Sequence, residues 1–266
     1  MRTQLNCLQL TTYSLTTKEN MDRIIPNSWL ESTKPDYFCP GCGHGITLKQ
    51  LGYAIDDLKI QRNTTLGIDI GCSLLAWNFF EIDTIQTHHG RTTPVMVGYK
   101  KSKPSRIAIA YMGDGGGYAI GLQSLIHACF RNDPITVILV NNGNYAMTGG
   151  QMAPTTRPGD VTPTTPNGNP AGFGEGFKGP ELLATLCNKN AFIARATVSK
   201  PIILRNILKK AIQNQTENKA FSFVEVLSIC PTNWKLGAKQ CFSKLSDVES
   251  FYVPGVLKEK GANEKN

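Results

Sequence analysis

Long apolar runs are missing from this chain of 266 residues. None approaches the roughly 20 consecutive apolar residues that a membrane helix needs, and the N-terminus lacks the basic and then apolar order of a secretory signal. The sequence therefore predicts no membrane association, and we expect a cytoplasmic location. In that reducing setting, the eight cysteines favour metal binding or catalysis over disulfides.

Two nucleotide-binding patterns are also missing. No G-x-G-x-x-G follows a predicted strand, and no G-x-x-x-x-G-K-[ST] occurs. NAD and ATP are therefore poor cofactor candidates. The net charge of +8 is spread along the chain without a basic tract, which suits an acidic protein as well as nucleic acid. The charge alone does not decide between a protein and a nucleic-acid partner. The motifs described below favour a protein partner, and we expect no binding to nucleic acid.

Strand-like runs alternate with helical patterns over most of the chain. Residues 1–21 are polar and Thr-rich, and we interpret them as a tail, with Met21 as an alternative start and residues 22–266 as one domain. Apolar periodicity predicts helices at 45–58, 118–130 and 201–213 and strands at 64–70, 106–112, 135–140, 192–198 and 221–227. This alternation indicates βαβ units, so the predicted fold class is α/β with a mostly parallel, doubly wound sheet.

Residues that can bind a ligand or a metal follow four of the predicted strands. They are Gly71-Cys72, Gly113-Asp114-Gly115, Asn141-Asn142 and Cys230. In open α/β sheets, ligands bind beyond the carboxyl ends of the strands. The sequence therefore predicts that these residues share one rim of the sheet.

The Gly-Asp-Gly and Asn-Asn motifs together indicate a Mg²⁺-diphosphate site. Glycines allow the backbone to approach a ligand closely, while Asp114 and an asparagine amide offer the oxygen ligands that Mg²⁺ prefers. Each motif alone is more typical of an ordinary turn, because Gly and Asn dominate turns for steric reasons. Their combined spacing favours the ligand site.

The cysteines leave more than one interpretation open. Cys39 and Cys42, in the sequence CPGC, are consistent with a redox dithiol, half of a zinc site or half of an iron–sulfur site. A second close pair, as in most zinc sites, does not occur. Cys72 and Cys230 follow separate strands, which favours an iron–sulfur cluster with four cysteine ligands over a zinc site, the second interpretation. Cys241 is an alternative fourth ligand. The remaining cysteines are predicted to lie in the tail or in apolar helices: Cys7, Cys129 and Cys187.

Six segments of the chain resemble one family. The segments FCPGCGHGI, GCS, HHGRTTPVMVGYK, GDG, NNGNYAMTGGQMAPTT and FSFVEVLSICPTNW, between about residues 25 and 257, are similar to the β subunit of the 2-oxoacid:ferredoxin oxidoreductases. The resemblance implies a thiamine-diphosphate-binding fold, with thiamine diphosphate, Mg²⁺ and a [4Fe–4S] cluster as cofactors. It further implies oxidative decarboxylation of a 2-oxoacid, with coenzyme A and ferredoxin as acceptors.

The same resemblance implies partners and residue roles. An α subunit, with γ and δ subunits in some members, would supply the activating carboxylate, so this chain alone would be half an active site. The implied cluster ligands are Cys39, Cys42, Cys72 and Cys230, and the implied Mg²⁺ ligands are Asp114, Asn142 and the carbonyl of Asn144. The implied cofactor contacts are Cys42, Gly43, His44, Gly113, Asp114, Gly115, Asn142, Thr148, Gly149, Gly150 and Gln151. His44 and His89-Gly90-Arg91 would lie near the cofactor, although a structural, hydrogen-bonded imidazole is an equally good interpretation of either histidine.

The chain departs from the family pattern at three places. Gly116 stands where many relatives read GDGD, and Ala146 replaces a glycine. Residues 74–77 (LLAW) are apolar, whereas relatives that handle a dicarboxylate often have a basic residue there. A buried carboxylate without a cation is costly, which slightly favours a branched-chain 2-oxoacid over 2-oxoglutarate. The alternative functions are a non-redox thiamine enzyme with structural zinc and an inactive scaffold.

Overall fold

The computed structural model of the protein describes residues 25–30, 37–170 and 174–260. The predicted tail at 1–21 lies outside these residues, so the tail stays a prediction, as does the domain boundary. Within the described residues, the main sheet contains seven strands: β1 (Thr64–Ile68), β2 (Asp83–Gln86), β3 (Ile107–Gly113), β4 (Thr136–Asn141), β7 (Phe192–Thr197), β8 (Ser222–Leu227) and β9 (Gly255–Lys258). A separate pair is β5 (Asn144–Tyr145) and β6 (Gln151–Met152). The strand order in the main sheet is β2-β1-β3-β4-β8-β7-β9.

Helices cover both faces of this sheet. They are α1 (Gly43–Leu58), α2 (Thr92–Ser102), α3 (Leu122–Phe130), α4 (Gly179–Leu186), α5 (Pro201–Glu217), α6 (Pro231–Trp234) and α7 (Ala238–Phe251). Residues of α1, α5 and α7 share one apolar core with the sheet, and residues of α2, α3 and α4 share the other. The predicted α/β, doubly wound architecture is therefore confirmed. Among the described helices, none has both the length and the apolar character of a membrane span.

All strand pairs of the main sheet are parallel except β7 with β9. The prediction from the sequence missed β2 and β9, because each is a four-residue edge strand without a continuous apolar run. The prediction also began the helix at 118–130 too early. Residues Gly116–Ile120 form a wider π-helical turn, and α3 begins only at Leu122.

The parallel register explains why the motifs meet. Gly113 at the end of β3 pairs with Val140 in β4, and Asn141 at the end of β4 pairs with Leu227 in β8. The residues that follow these strands therefore emerge side by side at the carboxyl rim. The Ser228 N–H donates to the Asn141 carbonyl at 2.8 Å, which extends the β4–β8 pairing to this rim.

Candidate functional site

A cavity of about 320 Å³ lies at the carboxyl ends of β1, β3 and β4. Ligand sites are commonly of this size, from about 300 Å³ upward. Its lining includes the predicted site residues His44, Cys72, His89, Gly113, Asp114, Gly115, Asn142, Asn144 and Thr148, and also Ile70, Gly116, Ile120, Tyr145, Ala146 and Met147. Thus most residues that the sequence predicted around the cofactor border one cavity.

Asp114 is buried and lines this cavity. One of its carboxylate oxygens accepts hydrogen bonds from the Gly143 N–H at 2.9 Å and from the Thr155 hydroxyl at 2.5 Å. The other accepts from the Gly115 N–H at 2.8 Å. Burial raises the pKa of Asp114 to about 6, against these hydrogen bonds. A divalent cation beside the carboxylate would favour its ionised form, so the residue suits a metal-ligand role.

The two asparagines at the end of β4 are used differently. Asn142 lines the cavity, and its side-chain oxygen accepts from the Asn144 N–H at 3.2 Å. Asn141 points inward instead: it donates to Glu225 at 3.1 Å and accepts from the Gly143 N–H at 3.1 Å. Asn141 therefore supports the turn that carries Asn142, without lining the cavity.

The predicted diphosphate loop, Thr148 to Gln151, meets the cavity only at Thr148. The Thr148 hydroxyl donates to the Gln151 side chain at 2.6 Å, and the Gln151 amide donates to the Thr148 carbonyl at 2.8 Å. Gly149 and Gly150 have φ values of 111° and 88°, which L-residues with side chains rarely adopt. The glycines are thus required by the shape of the loop.

The four predicted cluster cysteines are neighbours in space. Cys42 and Cys230 each interact electrostatically with Cys39, and Cys42 and Cys72 each interact with Cys230. Burial, followed by the neighbouring thiols, raises the pKa of Cys42 and of Cys72 to about 12. Cys39 is exposed and Cys230 is buried. The chain therefore brings these thiols together from three segments: the CPGC turn before α1, the 3-10 turn after β1 and the N-cap of α6.

Four neighbouring thiols are a donor set that suits an iron–sulfur cluster. Within the described ranges, no group of three or more His, Cys, Asp or Glu side chains is placed to hold a metal ion. The predicted Mg²⁺ ligands include only one such side chain, Asp114. All seven described cysteines are free of disulfides.

His44 is buried behind the cysteine loop and also lines the cavity. Its Nδ1 lies 2.6 Å from the Tyr111 hydroxyl, and its ring stacks on Phe38 with a centroid separation of 5.1 Å. Burial lowers the pKa of His44 to about 4, so the imidazole is neutral at pH 7. His44 is therefore both a hydrogen-bonded structural residue and part of the cavity lining.

Asp69 is a buried carboxylate that the sequence prediction missed. One oxygen accepts from the Gly90 N–H at 2.7 Å, while the other has no hydrogen-bond partner and would lie 1.9 Å from a Cβ atom at Gly116. Burial raises the pKa of Asp69 to about 6, against hydrogen bonds from Gly90 and Thr92. A side chain at position 116, one of the departures from the family pattern, would clash with Asp69, so this position needs a glycine.

A buried ion-pair network lies behind Asn141. Arg195 contacts Glu225 through Nε and binds both oxygens of Glu181 at 2.7 Å. Glu225 also accepts from the Tyr118 hydroxyl at 2.9 Å. Burial alone would lower the pKa of Arg195, but the two carboxylates outweigh it and raise the pKa above the usual value. Through Asn141, this network reaches the turn at Gly143, and no sequence motif marked it.

A comparison with protein families agrees with this geometry. The family model described as "Thiamine pyrophosphate enzyme, C-terminal TPP binding domain" matches residues 69–226. The matched region contains Asp114 and Asn142 and ends before Cys230. The fold and the cavity thus define the class: this is a thiamine pyrophosphate-binding fold.

Relatives identify the family more closely. The ketoisovalerate oxidoreductase subunit VorA of Methanothermobacter thermautotrophicus is 40% identical over 207 residues, which are 76% of this chain and 43% of that relative. The 2-oxoglutarate synthase subunit KorB of Methanocaldococcus jannaschii is 37% identical over 204 residues, 74% of this chain and 70% of that relative. The chain belongs to the β-subunit family of the 2-oxoacid:ferredoxin oxidoreductases. It spans less than half the length of the VorA relatives that it matches.

A solved structure has the same fold over nearly the whole chain. The 2-oxoglutarate:ferredoxin oxidoreductase from Magnetococcus marinus, with 2-oxoglutarate, coenzyme A and succinyl-CoA bound, superposes with a TM-score of 0.75 at 27% identity. The superposition covers 91% of this chain and 87% of that chain. Fold and family are therefore in agreement.

Proposed function

We propose that this chain is the thiamine-diphosphate-binding subunit of an enzyme that oxidatively decarboxylates a 2-oxoacid. The observation that carries the proposal is the single rim on which a buried carboxylate, two asparagines and Cys72 border one cavity, with the other three cysteines beside Cys72. When bound, thiamine diphosphate supplies a carbon nucleophile and an electron sink, and an iron–sulfur cluster supplies one-electron transfer. In the proposed reaction, coenzyme A takes the acyl group and ferredoxin takes the electrons.

In this proposal, the chain's own residues bind and orient the cofactor. Asp114, the Asn142 side chain and the Asn144 carbonyl would hold Mg²⁺, and hydrogen bonds from the Gly143 and Asn144 N–H groups fix the Asp114 and Asn142 oxygens. Thr148, the residue of the predicted diphosphate loop that lines the cavity, would contact the diphosphate. His44, a neutral imidazole whose Nδ1 lies within hydrogen-bond distance of the Tyr111 hydroxyl, lines the same cavity.

The four cysteines, in the same proposal, hold a [4Fe–4S] cluster next to this cavity. Cys72 supports the assignment because it both interacts with Cys39 and Cys230 and lines the cavity. A cluster held there would lie beside the cofactor, so electrons would have a short path to it. The exposed Cys39 marks the side from which a ferredoxin would take them.

For the substrate, we propose a 2-oxoacid with an apolar side chain. No lysine or arginine lines the cavity among the described residues, whereas Ile70, Ile120 and Met147 do. Residues 74–77, on which the sequence-based preference for a branched-chain substrate depends, do not line the cavity. The preference therefore rests on the cavity lining, and comparing 3-methyl-2-oxobutanoate with 2-oxoglutarate as substrates tests it.

Anaerobically purified protein is expected to contain about four irons and four acid-labile sulfides per chain, because four thiols meet at one rim. Cys42→Ala or Cys230→Ala should lose both. Cys187→Ala is the matched control, since Cys187 lies in the core beside Cys129. Stoichiometric zinc without iron would instead support the non-redox alternative.

Turnover is expected only with a partner subunit. The family resemblance assigns the activating carboxylate to the α subunit, and among the described residues Asp114 is the one carboxylate that lines the cavity. Substrate-dependent reduction of ferredoxin, followed spectroscopically, should be negligible for the purified chain and present after co-expression with the α subunit. Full activity of the chain alone would refute the half-site assignment.

A further inference from the structure

The side chain of Asn233 contacts both a predicted cluster ligand and the loop that borders the cavity. It lies on the short helix α6, three residues after Cys230, and is partly buried. Its side-chain amide donates to the Cys230 sulfur at 3.5 Å and to the Ala146 carbonyl at 2.9 Å. One amide group thus touches a predicted cluster ligand and the loop that borders the cavity.

Further contacts fix this side chain against the diphosphate loop. The Asn233 amide also lies 3.3 Å from the Asn144 side-chain oxygen, within hydrogen-bond distance. A Cβ atom at Gly150 would lie 2.9 Å from the Asn233 Cβ, so the glycine loop packs directly on Asn233. Next to it, the Trp234 indole N–H donates to the Asn142 carbonyl at 3.2 Å. Helix α6 therefore holds the loop that carries the predicted Mg²⁺ ligands.

The chemistry of these contacts has two consequences. An N–H donor to a cluster thiolate stabilises the more negative, reduced state, so it raises the reduction potential. A group that supports metal ligands typically changes metal affinity by about 10- to 100-fold when it is removed. Asn233 makes both kinds of contact with one amide.

We propose that Asn233 is a positioning residue that sets both the reduction potential of the cluster and the affinity for Mg²⁺-thiamine diphosphate. The inference rests on the proposed function, because it takes Cys230 as a cluster ligand. The amide holds the Cys230 sulfur and the 144–150 loop in one arrangement. Electron acceptor and cofactor are thereby kept in a fixed relation.

The test uses the complete complex, purified anaerobically, with Asn233→Leu and Asn233→Asp. Leucine keeps the approximate size of the side chain but donates no hydrogen bond, and aspartate adds a negative charge beside the sulfur. The reduction potential, measured by redox titration of the EPR signal that Cys42→Ala abolishes, should become more negative in the order wild type, leucine, aspartate. The dissociation constant for thiamine diphosphate at fixed Mg²⁺ should rise about tenfold in both variants.

The control is Thr232→Ala, an exposed neighbour on the same helix, which should change neither property. An unchanged potential, or an unchanged affinity, in both variants would overturn the inference while leaving the proposed function in place. Wild-type complex without a Cys42-dependent signal would instead refute the cluster assignment itself. Should the leucine variant fail to assemble, Asn233→Ala removes the same donor without adding bulk, and the same two measurements decide.

Discussion

Replacing Asp114 with asparagine is expected to abolish the thermal stabilisation that Mg²⁺ and thiamine diphosphate give to the assembled protein. Asparagine keeps an oxygen for the donors at Gly143 and Thr155 but removes the negative charge that would hold Mg²⁺. A ligand at 100 times its dissociation constant stabilises a native protein by about 2.7 kcal/mol, and the variant should gain almost none of this. Differential scanning fluorimetry with and without cofactor measures the shift.

Asp133→Asn is the matched control for this experiment. Asp133 is also buried and precedes the amino end of β4, at the other end of the strand from the cavity, where it pairs with Arg131 at 2.6 Å. It should show the full wild-type shift. A wild-type shift in the Asp114 variant would contradict its assignment as a metal ligand.

Replacing Arg195 with methionine is expected to lower the free energy of unfolding by about 3–5 kcal/mol. Arg195 and Glu225 are both almost completely buried, at 1% and 0% side-chain exposure, so the change leaves a carboxylate inside the protein without its cation. Breaking one side of a buried pair typically costs this much. It is a large share of the about 5–15 kcal/mol that stabilises most domains. Equilibrium unfolding in urea, under anaerobic conditions, measures it.

Lys210→Met is the control, because it breaks an exposed pair with Glu259 and should cost at most about 1 kcal/mol. The double variant Arg195→Met/Glu225→Leu should recover part of the loss, since it removes both charges together. Equal losses for Arg195→Met and Lys210→Met would show that the buried network contributes no more than a surface pair.

The grouping of motifs at strand ends was predictable from the sequence, because the carboxyl ends of neighbouring parallel strands lie side by side at one rim of the sheet. This is why Asp114, Asn142 and Cys72 were expected at one rim and border one cavity. Periodicity also identified the five longer strands, since buried parallel strands are continuous apolar runs. The ligand roles of these residues stay predictions.

The supporting residues were not predictable in the same way. Tyr118 and Glu225 form a hydrogen bond across 107 positions of the chain, and Arg195 meets Glu225 across 30. Local patterns carry no information about such pairs. The helix predicted from residue 118 begins only at Leu122. Just before it, Gly121 packs against the backbone of Gly90, a contact that is visible only in three dimensions.

The two edges of the sheet bear on how subunits can assemble. At one edge, the four-residue β2 carries Asp83, which pairs with Arg106. At the other, β9 runs antiparallel to β7 with a register irregularity at Ile193 and Ala194. Short, charged or irregular edge strands oppose pairing with a strand from another molecule. Growth of the sheet across a subunit boundary by strand addition is thereby disfavoured.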